Sequence, residues 1–238
     1  MNTKKLTIIV LNFSGNIGKS VISRHLLAPR LNAKVVSVET INANDHDKTE
    51  VKQVKANQFK EIMETIFSID DTVIIDVGSS NVEIFLDEMI TVVDSHEDID
   101  YFVIPTTPET KTQIDTIKTM ATLSQLGIEA DKIRLVFNKI TEPDKLEYDF
   151  NGIFLYHAES QSFKLQPSAL IRRNDLYSLL AGKQIKEILE DPNDYKELAS
   201  NKSLSQEERL DLRSQLTRQR LAKGVNQELD AVFNALFS

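Results

Sequence analysis

Gly18, Lys19 and Ser20 close the segment Gly15-Asn-Ile-Gly-Lys-Ser20, and together they could grip a phosphate chain. Phosphate chemistry asks for these residue types in this order. Glycines let backbone N–H groups curl around anionic oxygens, and a helix opening directly behind them adds free donors and a favourable dipole. A lysine at this point reaches the β- and γ-phosphates of a nucleotide, and the hydroxyl beside it ligates Mg2+. Ser14, Gly15, Asn16, Ile17, Gly18, Lys19, Ser20 and Val21 are therefore the expected binding loop. The pattern is imperfect, because Phe13 stands where a glycine is usual, five positions before Gly18. Gly-Lys-Ser is also a common tripeptide, and a glycine turn after a strand needs no ligand, so the surrounding elements decide its meaning.

A second chemical group is the acid of Thr72-Val-Ile-Ile-Asp76-Val-Gly78. An aspartate at the tip of a buried strand stands where α/β sheets place their ligands. Asp76 is expected to hold Mg2+ with Ser20, directly or through water; its alternative is to cap the helix that opens near Val82. Gly78 would let the following loop approach a γ-phosphate and move with it. Glu39 ends the run Val35-Val-Ser-Val-Glu39. It either orients an attacking water or touches the metal, or it is a solvated strand-end carboxylate. Asp45 and Asp47 are weaker acids on an expected loop. Lys19, Asp76 and Glu39 thus form the expected catalytic set. His25, His46, His96 and His157 lack metal-ligand spacing, and no serine lies in a nucleophile elbow.

These residues need a scaffold, and the chain supplies one in its rhythm. Up to Asn138, short runs rich in Ile and Val alternate with amphipathic stretches, as βα units around a parallel sheet do. Strands are expected at 6–13, 34–39, 72–76, 101–105 and 133–138, nearly continuous in apolar character because both faces are buried. Helical patterns fall at 20–27, 51–67, 82–93 and 112–126, the second with Val54, Phe59, Ile62, Met63 and Ile66 on one side. Beyond Asn138 the spacing predicts a strand over 150–157, an interrupted helix over 168–190 and a polar loop around Pro192. Ser205-Gln-Glu-Glu208 is a capping box that opens a last helix. The expected fold is α/β, a mostly parallel twisted sheet flanked by helices. Residues 1–200 form the nucleotide-binding domain and 201–238 a helical extension packed on it.

Composition sets the outer limits. The 238 residues contain no cysteine, which excludes disulfides, thiolate metal sites and a cysteine nucleophile. The apolar run from Leu6 to Leu11 is too short to span a membrane and reads as a first strand, not a leader, so the expected location is cytoplasmic. With a net charge of −8, any nucleic-acid contact must come from a local basic face. Arg209, Arg213, Arg218, Arg220 and Lys223 offer one within the last helical pattern; Arg172 and Arg173 offer a shorter one. The basic run is either a solvated helix face or a weak, non-specific DNA or partner contact. Membrane targeting is not expected of a tail that carries Glu228 and Asp230.

The loop 12–20, the following Arg24-His-Leu-Leu-Ala-Pro-Arg30, the run Tyr101-Phe-Val-Ile-Pro105-Thr-Thr-Pro108 and Ile133-Arg-Leu-Val-Phe-Asn138-Lys carry a family likeness. In them the chain resembles the deviant-Walker P-loop ATPases, the ParA/MinD group, and within it the plasmid stability proteins called StbB. The resemblance implies ATP and Mg2+ as cofactors, an ATP-dependent homodimer and a plasmid-encoded DNA-binding adaptor as partner. It also implies adenine contacts by Asn138 and by the segment around Pro105. The chain departs from that pattern in three places. Ser14 replaces a signature lysine that reaches the partner's nucleotide, Asn16 replaces a glycine, and Ile41 replaces the second acid of the pair usual after the second strand. A charge of that kind is worth about 10³–10⁵ in rate in other NTPases, so hydrolysis is expected to be slow or partner-dependent.

Overall fold

Every strand pairing in the computed structural model, which describes residues 5–39, 52–54, 59–180 and 182–238, is parallel. The strands are β1 (Thr7–Val10), β2 (Lys34–Val38), β3 (Lys52–Val54), β4 (Val73–Val77), β5 (Tyr101–Thr106), β6 (Ile133–Ile140) and β7 (Leu170–Arg172). They form one sheet in the order β3-β2-β4-β1-β5-β6-β7. Parallel neighbours need crossovers, and helices supply them: α1 (Lys19–Val21) with its continuation to Leu31, α3 (Phe59–Phe67), α4 (Val82–Thr91) and α5 (Thr110–Gln125).

Alternate residues of the strands serve different layers. Ile9, Leu11, Val36, Val38, Ile75, Val77, Ile104 and Phe137 join one core with Phe59, Ile62 and Met63 of α3, Phe85 and Met89 of α4, and Met120 and Leu123 of α5. Their neighbours Ile8, Val10, Ile74, Val103 and Val136 are buried as well. Burial on both faces is why these strands read as unbroken apolar runs. Phe59 and Phe85 meet edge to face at 5.1 Å and join α3 to α4.

Behind the glycine loop the helix widens. Lys19–Val21 passes into a π-helical segment, Ile22–Leu27, and then into α2 (Ala28–Leu31). Pro29 explains this: it has no N–H to offer the His25 carbonyl, and its ring would crowd that carbonyl in a regular helix. Arg30 Nη1 donates to the carbonyls of His25 and Leu26 at 2.9 and 3.1 Å instead.

Three expectations are corrected. Residues 150–157 are not a strand: α6 (Leu146–Asp149) and α7 (Asn151–Ser160) occupy this stretch. Phe150, Ile153, Phe154 and His157 recur at helical spacing, a period that a short apolar run conceals. In 168–190, Leu170–Arg172 is the edge strand β7, followed by α8 (Leu176–Leu179) and α9 (Ile185–Leu189). Of the helix expected over 51–67, Phe59–Phe67 forms α3, while Lys52–Val54 is the strand β3 paired with β2.

The chain divides into two compact units, Met1–Arg173 with Val232–Ser238, and Asn174–Ala231. In the second, α10 (Tyr195–Leu198) is capped by Asp194, which accepts from Lys196 N and Glu197 N. Glu208 N donates to Ser205 Oγ at 3.2 Å and Ser205 N to Glu208 Oε2 at 2.8 Å, the reciprocal capping box that opens α11 (Gln206–Leu236). Arg213, Arg220 and Lys223 are exposed on that helix. No helix among the described residues is long and apolar enough to cross a membrane.

Candidate phosphate-binding site

The chain leaves β1 toward β2 on one side of it, while β5 lies on the other, so the crevice of the sheet opens at the carboxyl end of β1. The glycine loop lies there. Asn16 and Gly18 adopt left-handed backbone, with φ of 55° and 88°. A Cβ at Gly18 would collide with Nδ2 of Asn138, so glycine is required twice over.

Lys19 opens α1 and is buried. Its ammonium donates to the carbonyls of Ser14 at 2.6 Å and Asn12 at 3.3 Å. Burial pulls it down to about 8, against the attraction of Asp76. Asp76 lies on β4 in register with Val10 of β1 and Ser37 of β2, and is 4% exposed. Burial pushes its carboxyl above the usual range; the Ser20 hydroxyl, Lys19 and Arg24 pull it down, and Glu39 adds to the push. Glu39 follows β2, half-buried, its Cγ 3.5 Å from where a Cβ on Gly78 would stand. That same Cβ would meet the Val38 carbonyl at 3.2 Å, so a side chain at residue 78 would crowd the strand tips that bear Glu39 and Asp76.

The donor set fits Mg2+ bound with phosphates. Hard oxygen ligands suit that ion, and Asp76 Oδ2 is buried with no hydrogen-bond partner beside the Ser20 hydroxyl. Ser37 Oγ, next to Asp76 across the sheet, is likewise buried and unpartnered. Among the described residues no group of three or more His, Cys, Asp or Glu could hold a metal by protein ligands alone, so phosphate oxygens and water would complete the shell.

Asn138 is buried; its Nδ2 donates to the Ile17 carbonyl at 2.7 Å and its Oδ1 accepts from Lys139 N at 2.8 Å. Lys139, left-handed at φ 59°, donates from Nζ to the Asn16 carbonyl at 2.6 Å. Both residues therefore brace the loop from the β6 side. Pro105 is buried in β5, and its carbonyl accepts from Asn12 Nδ2 at 2.8 Å. Asp45, Asp47 and His46 lie outside the described residues.

Sequence reasoning missed the grip of α5. Asn12 Nδ2 donates to Thr116 Oγ1 at 2.8 Å, Phe13 N to Thr119 Oγ1 at 3.3 Å, and Ser14 Oγ to Asp115 Oδ2 at 2.6 Å. The Lys118 ammonium sits 4.4 Å from the centre of the Phe13 ring. Thr112, Thr116 and Thr119 are buried at spacings of four and three. Hydroxyls along a buried helical stripe must find polar partners, and that was the readable signal. Ser79, whose Oγ is 3.2 Å from a Cβ placed on Gly15, was missed too.

No protein-family model matches the chain, and no curated protein matches it in sequence. Solved structures do match in fold. Apo McdA of Cyanothece aligns over 93% of this chain and 100% of its own, at 14% identity and a TM-score of 0.51. The cell division ATPase MinD of Pyrococcus furiosus aligns over 94% and 99%, at 13% identity and a TM-score of 0.51. MinD of Aquifex aeolicus aligns over 75% and 87%, at 10% identity and 0.50. The chain thus shares the fold of MinD and McdA.

Proposed function

We propose that this chain is an ATP-binding positioning protein of plasmid maintenance, cytoplasmic, with slow hydrolysis, whose self-association and DNA or partner contacts change with nucleotide state. The convergence of Lys19, Ser20, Asp76 and Glu39 at the carboxyl end of β1 carries this reading. In it Lys19 exchanges the Ser14 and Asn12 carbonyls for β- and γ-phosphate oxygens, and the loop N–H groups follow the phosphate chain. Ser20 and Asp76 would hold Mg2+, which when bound offsets phosphate charge. Glu39 orients a water toward the γ-phosphorus; the new P–O bond forms as the bond to the β–γ bridging oxygen breaks, and ADP leaves. Asn138 and the segment around Pro105 would contact the base, as the family resemblance implies, and Ile140, not an acid, follows Asn138-Lys139, which favours adenine over guanine. Gly78 lets the Asp76 loop respond to the γ-phosphate and so alter a dimer face; Arg213, Arg220 and Lys223 supply a basic contact for DNA or an adaptor. The StbB likeness of residues 12–30 supports plasmid maintenance as the setting.

Sedimentation without nucleotide, with ADP, and with a non-hydrolysable ATP analogue plus Mg2+ tests this. Dimers form only with the analogue, and Lys19→Ala loses nucleotide binding and dimer together. Normal ATP affinity in that variant would overturn the assignment.

One observation favours a second reading, a nucleotide-binding adaptor with little turnover. Ser14, at the signature-lysine position, turns its side chain onto Asp115 of its own chain, so that position offers no cation to a partner's nucleotide. Phosphate release with and without DNA separates the two readings.

A further inference from the structure

We infer that Asp115 is a positioning residue: acting through Ser14, it holds Lys19 on the loop's own carbonyls and so sets how readily the loop accepts phosphates. The inference rests on the nucleotide-binding reading above and deepens it. Three bonds define the latch. Ser14 Oγ donates to Asp115 Oδ2 at 2.6 Å, within the short range of hydroxyl-to-carboxylate bonds. Ser14 N donates to Asn12 Oδ1 at 2.8 Å, and the Ser14 carbonyl accepts from Lys19 Nζ at 2.6 Å. Ser14 is buried and Asp115 half-buried, so the hydroxyl end of the bond is shielded from water.

A residue tied at both its amide and its side chain has its carbonyl direction fixed. That carbonyl is the nearer of the two that Lys19 must leave to reach a phosphate. Asp115 has its own anchorage, since its carbonyl accepts from Thr119 Oγ1 at 2.7 Å, and the neighbouring Thr116 hydroxyl meets Asn12 Nδ2 at 2.8 Å. The latch thus ties the loop, through the Asp115 carboxylate, to the long helix α5.

Breaking the latch therefore tightens nucleotide binding, the reverse of what damage to a loop does. Calorimetry with ADP is expected to show about tenfold higher affinity in Ser14→Ala and in Asp115→Ala, the scale of one charge-assisted hydrogen bond. Asp115→Asn, which keeps an acceptor for the hydroxyl, gives an intermediate gain. The double variant gains no more than either single one, because both remove the same bond. Unchanged or weaker binding in the single variants, or gains that add, would overturn the latch. Amide hydrogen exchange of residues 14–18 in the nucleotide-free protein is read in parallel: faster in both single variants if the latch exists, unchanged if it does not. Wild-type protein that binds no ADP sinks the nucleotide reading, and the exchange measurement still decides the latch.

Discussion

The Asn138 amide occupies the space that a side chain at residue 18 would need, and it uses that place to bond the Ile17 carbonyl at 2.7 Å. Loop and β6 are thereby fitted to each other through one missing Cβ. Gly18→Ala must displace that amide while holding a left-handed backbone, so it is expected to cost about 1–3 kcal/mol from the backbone conformation alone and to abolish nucleotide binding. Thermal unfolding and ATP titration of the variant check both.

Asn138→Ala approaches the same contact from the other side. It leaves the buried Ile17 carbonyl without its donor and releases Lys139 N from Oδ1. The expected loss is about 1–3 kcal/mol, with weaker nucleotide binding. Asn138→Asp restores the bond to Lys139 N but not the donor to Ile17, so urea unfolding should find it no better than alanine.

Asp76 is held at a cost. Its carboxyl is pushed up by burial, and one of its oxygens has no partner. An acid with a raised folded pKa opposes folding above that pKa, so Asp76→Asn is expected to stabilise the nucleotide-free protein at pH 7 while losing the Mg2+ dependence of ATP binding. A lower melting temperature in the variant would contradict this.

His25 gives an acid limb to stability. Burial, with Arg24 beside it, pulls its imidazole down to about 4 from 6.5. Between these values the unfolded chain takes up the proton and the folded one does not. Stability from this group is whole above pH 6.5, falls as the pH drops toward 4, and loses nothing more below it. His25→Gln should flatten that window in a pH series of urea midpoints, by about 3 kcal/mol at its acid end.

The sheet was legible because β1, β2, β4, β5 and β6 are apolar on both faces, a signal that owes nothing to distant residues. Phe150–His157 misled because a short apolar run carries both periods at once, and only packing on Phe137, whose ring centre lies 4.8 Å from that of Phe150, selects the helix. Gly18, Lys19, Ser20 and Asp76 were legible for a local reason: each stands where a strand gives way to the next loop or helix. Asp115 and Asn12 were not, since their meaning lies in contacts across a hundred residues of chain, with a separation of 101 for Ser14 and Asp115. A single aspartate in an amphipathic helix looks like any solvated one.

The place of β1 in the sheet also governs how the protein is made. β1 is synthesised before both of its partners, β4 and β5. Pairings this distant along the chain form slowly, and until they form, the apolar strand Thr7–Val10 and the loop behind it have nothing to close against. The glycine loop therefore acquires its shape late, after much of the sheet exists, and a nascent chain stopped before residue 101 carries an unfinished, aggregation-prone strand in place of a closed loop.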